Sequence, residues 1–251
     1  MAFVAEEIAG RFEKAWAENA QFDFTGLAGP QSAADAYRIQ DIVFESCWRG
    51  RRASAWKAGA SGPGVVPSAA PIGSVNEGPA TLAAAPFHML CIEAEVAFRF
   101  GRDLPAPGGP WTERELADAV DEVLVTIEIC DTRLANWKAA PPLWRLADFQ
   151  LNGALVTGSG TRDWRKIDFA IQRAELWING AKIVEKSGSH PLGNPFRVLP
   201  WAVEHCALRG GGLRSGDLVT TGSWTGMEFV APGDAVLARF PGIGEASVRI
   251  G

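Results

Sequence analysis

The sequence predicts an α+β protein, helical over residues 1–52 and built mainly of strands over 53–251. Three observations carry this. The first fifty residues place apolar side chains at three- and four-residue spacing, as a helix packed on one face requires. The remainder breaks into short apolar runs with strand-like composition. Those runs are separated by Gly- and Pro-bearing turns, and Asn179-Gly180 between two of them is a strong hairpin signal.

The first predicted helix, 3–19, carries Ile8, Phe12, Ala15 and Trp16 on one stripe. Ser32 starts the second, with Asp35 at the capping-box position, Tyr37, Ile39, Ile42, Val43 and Cys47 following, and Gly50 at its end. After Trp56-Lys57, residues 58–86 are too rich in Gly, Pro, Ala and Ser for a regular helix, and a lid or binding loop is expected there. Strands are predicted over 89–100 and 123–130, separated by a helix opened by the Thr112–Glu115 capping box and running to about Glu122. Asn194-Pro195 opens a further helix that ends before Gly210-Gly-Gly212, and short strands follow over 218–221, 227–229, 235–240 and 246–250.

A formal net charge of −5 argues against nucleic acid as the main partner. No run of 18 apolar residues suggests a membrane span, and the acidic start does not read as a signal peptide. Cys47, Cys91, Cys130 and Cys206 are far apart and lie in apolar or helical runs, so a cytosolic protein with reduced, buried thiols is expected, without a zinc site of the Cys/His kind.

The chemistry concentrates in the run 89–100. Glu93 and Glu95 are two residues apart, so in a strand both point to one face. Two carboxylates side by side in an apolar setting repel and are poorly solvated. A divalent cation, a shared proton or a pair of Arg or Lys side chains would stabilise them, unless the face is in water. Glu128 is a third carboxylate in an apolar strand, and the three together suit Mg²⁺ or Mn²⁺, although pairing with Arg133, Arg99 or Lys57 would also hold them. Lys57, next to the Gly-rich segment, is a candidate acid, base or carboxylate-binding group, or a solvated strand residue. The turn 220–226 gathers small hydroxyls and flexible backbone, as a carboxylate-binding turn would.

Taken together, six segments resemble the fumarylacetoacetate hydrolase superfamily, in its 2-keto-4-pentenoate hydratase and oxalocrotonate decarboxylase branch. They are Trp56-Lys57 with Gly59 and Ser61; Glu93 with Glu95; Glu128 with Asp131 and Arg133; Asp148 leading to Asn152-Gly153; Leu192 to Pro195 with Trp201; and Gly216-Asp217 with Ser223 and Thr225. The resemblance implies a mixed β-roll-like fold behind an N-terminal helical portion, and Mg²⁺ or Mn²⁺ on Glu93, Glu95 and Glu128. It implies Lys57 as the active-site lysine, and Ser223 and Thr225 in the substrate-carboxylate turn; Asp148 and His190 are further residues expected at the substrate. The implied reaction is hydration of a 2-hydroxy-2,4-dienoate or 2-oxo-4-enoate in aromatic-compound catabolism. Decarboxylation or acylpyruvate-type C–C hydrolysis is the alternative, as is a non-catalytic accessory role beside a decarboxylase; a homo-oligomer is also implied. The sequence departs from the branch at 67–73, which carries no acidic residue, at Phe149-Gln150-Leu151, and at His190. Trp137, Phe149 and Trp224 add aromatic bulk, so the general base and the substrate's tail stay open.

Overall fold

Ser32 and Asp35 cap the second helix as their spacing predicts: the Ser32 side chain accepts from the Asp35 N–H, and the Asp35 carboxylate accepts from the Ser32 N–H. The computed structural model describes residues 3–106 and 109–251, so positions 1–2 of the predicted helical portion lie outside the described residues. Helix α1 (Ala5–Glu18) has acidic Glu6 and Glu7 in its first turn and ends at Asn19, whose φ of 48° is left-handed. It packs on α2 (Ala33–Cys47). Their shared core of Ile8, Phe12, Ile39 and Val43 extends to Trp144, Leu146 and Phe149 from the second half of the chain. Cys47, expected buried, is exposed at the end of α2, whereas Cys91, Cys130 and Cys206 are buried free thiols.

The segment 58–86 is not one loop. It contributes the end of β1 (Ala55–Gly59), then β2 (Ser68–Pro71), β3 (Val75–Glu77) and β4 (Ala80–Leu82), leaving a connection of about eight residues before β2. The long strand β5 (Cys91–Phe100) follows, then β6 (Leu104–Pro105) and α3 (Glu113–Ala119). That helix stops earlier than its sequence suggests, because β7 (Val120–Cys130) already begins to pair at Val120 with Phe100. Helix α4 (Pro142–Ala147) and strand β8 (Asn152–Thr161) come next. Asn179 and Gly180 both have positive φ, 51° and 81°, and close the hairpin of β9 (Arg173–Ile178) with β10 (Ala181–Ser187). After α5 (Leu199–Gly210) come β11 (Gly212–Leu213), β12 (Leu218–Thr220), β13 (Glu228–Phe229), β14 (Ala235–Phe240) and β15 (Gly244–Ile250).

The larger sheet has the order β2-β1-β12-β5-β7-β8-β3, with β13 also paired to β5. The second sheet has the order β10-β9-β14-β15-β4, and its β15 packs over β7 and β8. Side chains alternate across β5 and β7. Ala94, Val96 and Phe98, with Val125, Ile127 and Ile129, enter the core between the sheets beside Trp164, Phe196, Trp224 and Phe240. The opposite face of the same two strands carries the polar residues. No helix among the described residues is long and apolar enough to cross a membrane.

His205 on α5 makes part of this packing sensitive to acid. Its ring stacks on Trp201 at 4.6 Å, and its Nε2 accepts from Arg209 Nη1 at 2.8 Å, which requires the neutral imidazole. Burial, then the Arg209 charge, lower its pKa to about 4. The unfolded imidazole takes its proton near pH 6.5, so the stability tied to neutral His205 is complete above that value and is lost as pH falls towards 4. In urea unfolding, the gap between wild type and His205→Leu is expected to narrow by about 2 kcal/mol from pH 7 to pH 4.5. A gap independent of pH would show that folding leaves the proton affinity of His205 unchanged.

Candidate active site

The polar face of the larger sheet gathers one to three side chains from each of five adjacent strands. In the β5–β7 ladder Cys91 lies opposite Cys130, Glu93 opposite Glu128, and Glu95 opposite Thr126. On β5's other side Thr220 of β12 reaches over: its hydroxyl donates to Glu95 Oε2 and lies 3.1 Å from the Thr126 hydroxyl. Lys57 is the register partner of Thr220 in the parallel β1–β12 pair, and its Nζ donates to Glu128 Oε1 at 2.6 Å. From β8, Asn152 Nδ2 donates to the same oxygen at 2.9 Å. Strand pairing thus fixes where these side chains start.

Glu95 and Glu128 are fully buried, yet Glu95 Oε1 and Glu128 Oε2 have no hydrogen-bond partner. A buried carboxylate oxygen without a donor is costly. Burial and then repulsion from Glu128 push the Glu95 carboxyl up to about 8 and raise Glu93 as well. Lys57 behaves in the opposite sense. Burial alone would favour its neutral form, but Glu128, Cys130, Glu95 and Glu93 surround it and hold the ammonium charged, well above the ordinary lysine value. Three carboxylates with one ammonium leave an excess of negative charge if all ionise. That excess and the two unpartnered oxygens fit a divalent, oxygen-loving cation held by Glu93, Glu95 and Glu128. One ligand atom each from Glu93, Glu128 and Cys130 also lie within 4.8 Å of one another, a trio to which Glu95 does not belong.

Above these groups opens a cavity of about 400 Å³ lined by Lys57, Glu93, Glu95 and Ser223 together with Ser61, Val65, Ser68, Gln150 and Pro191. Ser223 Oγ accepts from the Gly226 N–H at 2.9 Å, which holds its hydroxyl at the cavity wall. The remaining residues expected at the substrate are placed elsewhere. Thr225 is buried and its hydroxyl accepts from the Ala94 N–H at 3.1 Å, so it anchors the 220–226 turn to β5. His190 has both ring nitrogens engaged with main chain: Nε2 with Thr221 O at 2.8 Å, and Nδ1 accepting from Leu192 N at 3.2 Å. It fixes the loop that presents Pro191 to the cavity.

Asp148 lies below the site. Its Oδ1 accepts from Arg133 Nε at 2.5 Å, and its Oδ2 from the Thr132 hydroxyl at 2.7 Å and the Arg133 N–H at 2.9 Å. Burial raises its pKa to about 6 against these donors, which leaves it ionised at neutral pH. Arg133 also donates to Asn152 O and Asp148 O, and its guanidinium sits 4.2 Å over the Trp16 ring of α1. The pair braces Phe149, Gln150 and Leu151, whose φ values of 52°, 54° and 63° put three consecutive non-glycine residues in the left-handed region. This strained run delivers Gln150 to the cavity, where its carbonyl accepts from Lys57 Nζ at 3.1 Å and its carboxamide donates to Ser68 Oγ. Gln150 and Cys130 are site residues that sequence reasoning missed, while Asn152 and Thr220 stood in segments it singled out without giving either a role. Cys130 was within its reach, being two residues after Glu128 on the same strand face.

The family described as "Fumarylacetoacetate (FAA) hydrolase C-terminal" matches residues 60–251. The chain is 32% identical over 162 residues to the 2-keto-4-pentenoate hydratase of Paraburkholderia xenovorans (strain LB400), a match covering 64% of this chain and 58% of that protein, so it spans under two thirds of this curated relative. In structure it is similar to the 4-oxalocrotonate decarboxylase from Pseudomonas putida G7 complexed with magnesium and adipate, with TM-score 0.84, 22% identity and 99% of each chain covered. The same decarboxylase complexed with calcium and acetate aligns with TM-score 0.83 at 22% identity over 100% of each chain. The mixed α+β architecture is therefore that of these structures.

Proposed function

We propose that this chain, which belongs to the fumarylacetoacetate (FAA) hydrolase C-terminal family, is a divalent-metal-dependent lyase that adds water to a 2-hydroxy-2,4-dienoate or its 2-oxo-4-enoate tautomer. The observation that carries this reading is the set of three carboxylates on two paired strands, with two buried oxygens unpartnered and Lys57 alongside. The similarity to a hydratase in sequence supports it.

Glu93, Glu95 and Glu128 would hold Mg²⁺ or Mn²⁺. Bound there, the cation would supply positive charge for a substrate carboxylate and its neighbouring C2 oxygen, and would offset the carboxylates that otherwise hold Lys57 charged. This chain's own groups do the rest. Thr220 and the Gly222 N–H, the latter at 3.2 Å, fix Glu95 through Oε2 and leave Oε1 free. Asn152 and Lys57 fix Glu128 through Oε1 and leave Oε2 free. Lys57 is therefore a proton donor at the cavity floor, steered by Glu128 and the Gln150 carbonyl. Ser223 and Ser61 offer hydroxyls at the cavity wall. Val65 and Pro191 supply apolar surface for the alkene end and limit water around it.

The purified chain with Mg²⁺ is expected to bleach the dienol absorbance of 2-hydroxypenta-2,4-dienoate and to give a product one water heavier, with turnover abolished by chelation and restored by Mg²⁺ or Mn²⁺. Full turnover in chelator would overturn the proposal. A second reading, decarboxylation of a 2-oxo-enedioate, is favoured by the close match in fold to a decarboxylase. Carbon dioxide released from such a substrate, without hydration of the monoacid, would select it.

A further inference from the structure

We infer that the cleft floor has a second metal setting, in which a thiophilic divalent ion of the zinc or cobalt(II) kind binds to Cys130, Glu93 and Glu128. Three observations carry this. First, the β5–β7 register stacks the Cys91–Cys130 pair directly beside the Glu93–Glu128 pair, so the Cys130 thiol and both carboxylates share one face. Second, the distances suit a small tetrahedral ion. With metal–sulfur and metal–oxygen bonds of about 2.3 and 2.0 Å, neighbouring ligands in a tetrahedron stand about 3.5 Å apart. Cys130 Sγ already lies 3.7 Å from Glu93 Oε2, and one atom of each of the three residues lies within 4.8 Å of the other two. Third, the fully buried Glu128 keeps Oε2 unpartnered while Lys57 and Asn152 hold Oε1, so this member of the trio has a carboxylate oxygen free for a metal.

Ligand chemistry then separates the two settings. Magnesium takes oxygen ligands and gains little from sulfur, whereas zinc and cobalt(II) accept a thiolate with carboxylates and bind mixed sites more tightly. On ligation the metal–sulfur bond replaces the S–H bond and the proton leaves to solvent. Glu93 and Glu128 belong to both settings, so the ions exclude each other. A thiophilic metal would thereby displace the hard cation from Glu95, and would inhibit whatever reaction that cation serves. This inference does not depend on which reaction that is.

Cobalt(II) added to the chelator-stripped chain tests it. A near-ultraviolet thiolate-to-cobalt band is expected in wild type and in Cys91→Ser, and its loss is expected in Cys130→Ser. Excess Mg²⁺ is expected to weaken apparent cobalt affinity at least tenfold. X-ray absorption of the zinc-loaded wild type needs no variant and should show one sulfur at about 2.3 Å. Cobalt binding without the band, a band that survives Cys130→Ser or vanishes in Cys91→Ser, a zinc shell of light atoms only, or no competition from Mg²⁺ would each overturn the assignment.

Discussion

Glu128→Gln is expected to lower kcat/KM by about a thousandfold or more, while the protein stays folded. Glu128 is placed at the centre of the site: Lys57 and Asn152 hold one oxygen, and the other is free. The amide keeps the shape and the hydrogen bond from Asn152, but removes one of three negative charges. Charge stabilisation by a bound cation is worth several kcal/mol in the transition state, and about 4 kcal/mol corresponds to a factor of 10³. Stability should move little, because losing the Lys57 ion pair is offset by less repulsion at Glu93 and Glu95. Calorimetric Mg²⁺ titration beside steady-state kinetics checks this. Wild-type Mg²⁺ affinity in the variant would remove Glu128 from the proposed ligand set.

Asp148→Ala should have the largest effect on folding. The Arg133 guanidinium is almost fully buried and loses the carboxylate that takes its Nε. Removing one partner of a buried ion pair costs about 3–5 kcal/mol, since the other charge stays buried. In a chain of this size that lowers the melting temperature by roughly 10 °C. Asp148→Asn retains one acceptor oxygen for Thr132 and the Arg133 N–H, at the cost of the bond from Arg133 Nε, and should lose less. A melt of Asp148→Ala within 2 °C of wild type would show that the buried Asp131 carboxylate, 3.8 Å away, and the Asn152 and Asp148 carbonyls suffice to hold Arg133.

What was legible in the sequence was set by local rules. Capping boxes at Ser32 and Thr112 marked helix starts, and Asn179-Gly180 marked a hairpin. The i, i+2 rule put Glu93 and Glu95 on one face, whereas the position of Glu128 opposite Glu93 is a matter of strand register that the sequence left open. What was not legible depends on partners remote in the chain. Strands β3 and β4 are three residues each and exist through parallel pairing with β8 and β15, which no short window encodes. Asp148 and His190 have the residue types of a binding site, but their directions are set by Arg133 and by the Thr221 carbonyl. Gln150 could not be anticipated, because three left-handed non-glycine residues in succession have no sequence signal and persist only where surrounding packing imposes them.

The cavity's floor and its rim are built differently. Lys57, Glu93, Glu95 and Glu128 each belong to a paired strand, with neighbours on both sides in the same sheet. Ser61, Val65 and Gln150 belong to connections between elements. A substitution on the floor alters charged groups that hold one another in place, whereas one on the rim changes only the wall of the cavity. Descendants of this chain could therefore diverge in diet long before they diverge in chemistry.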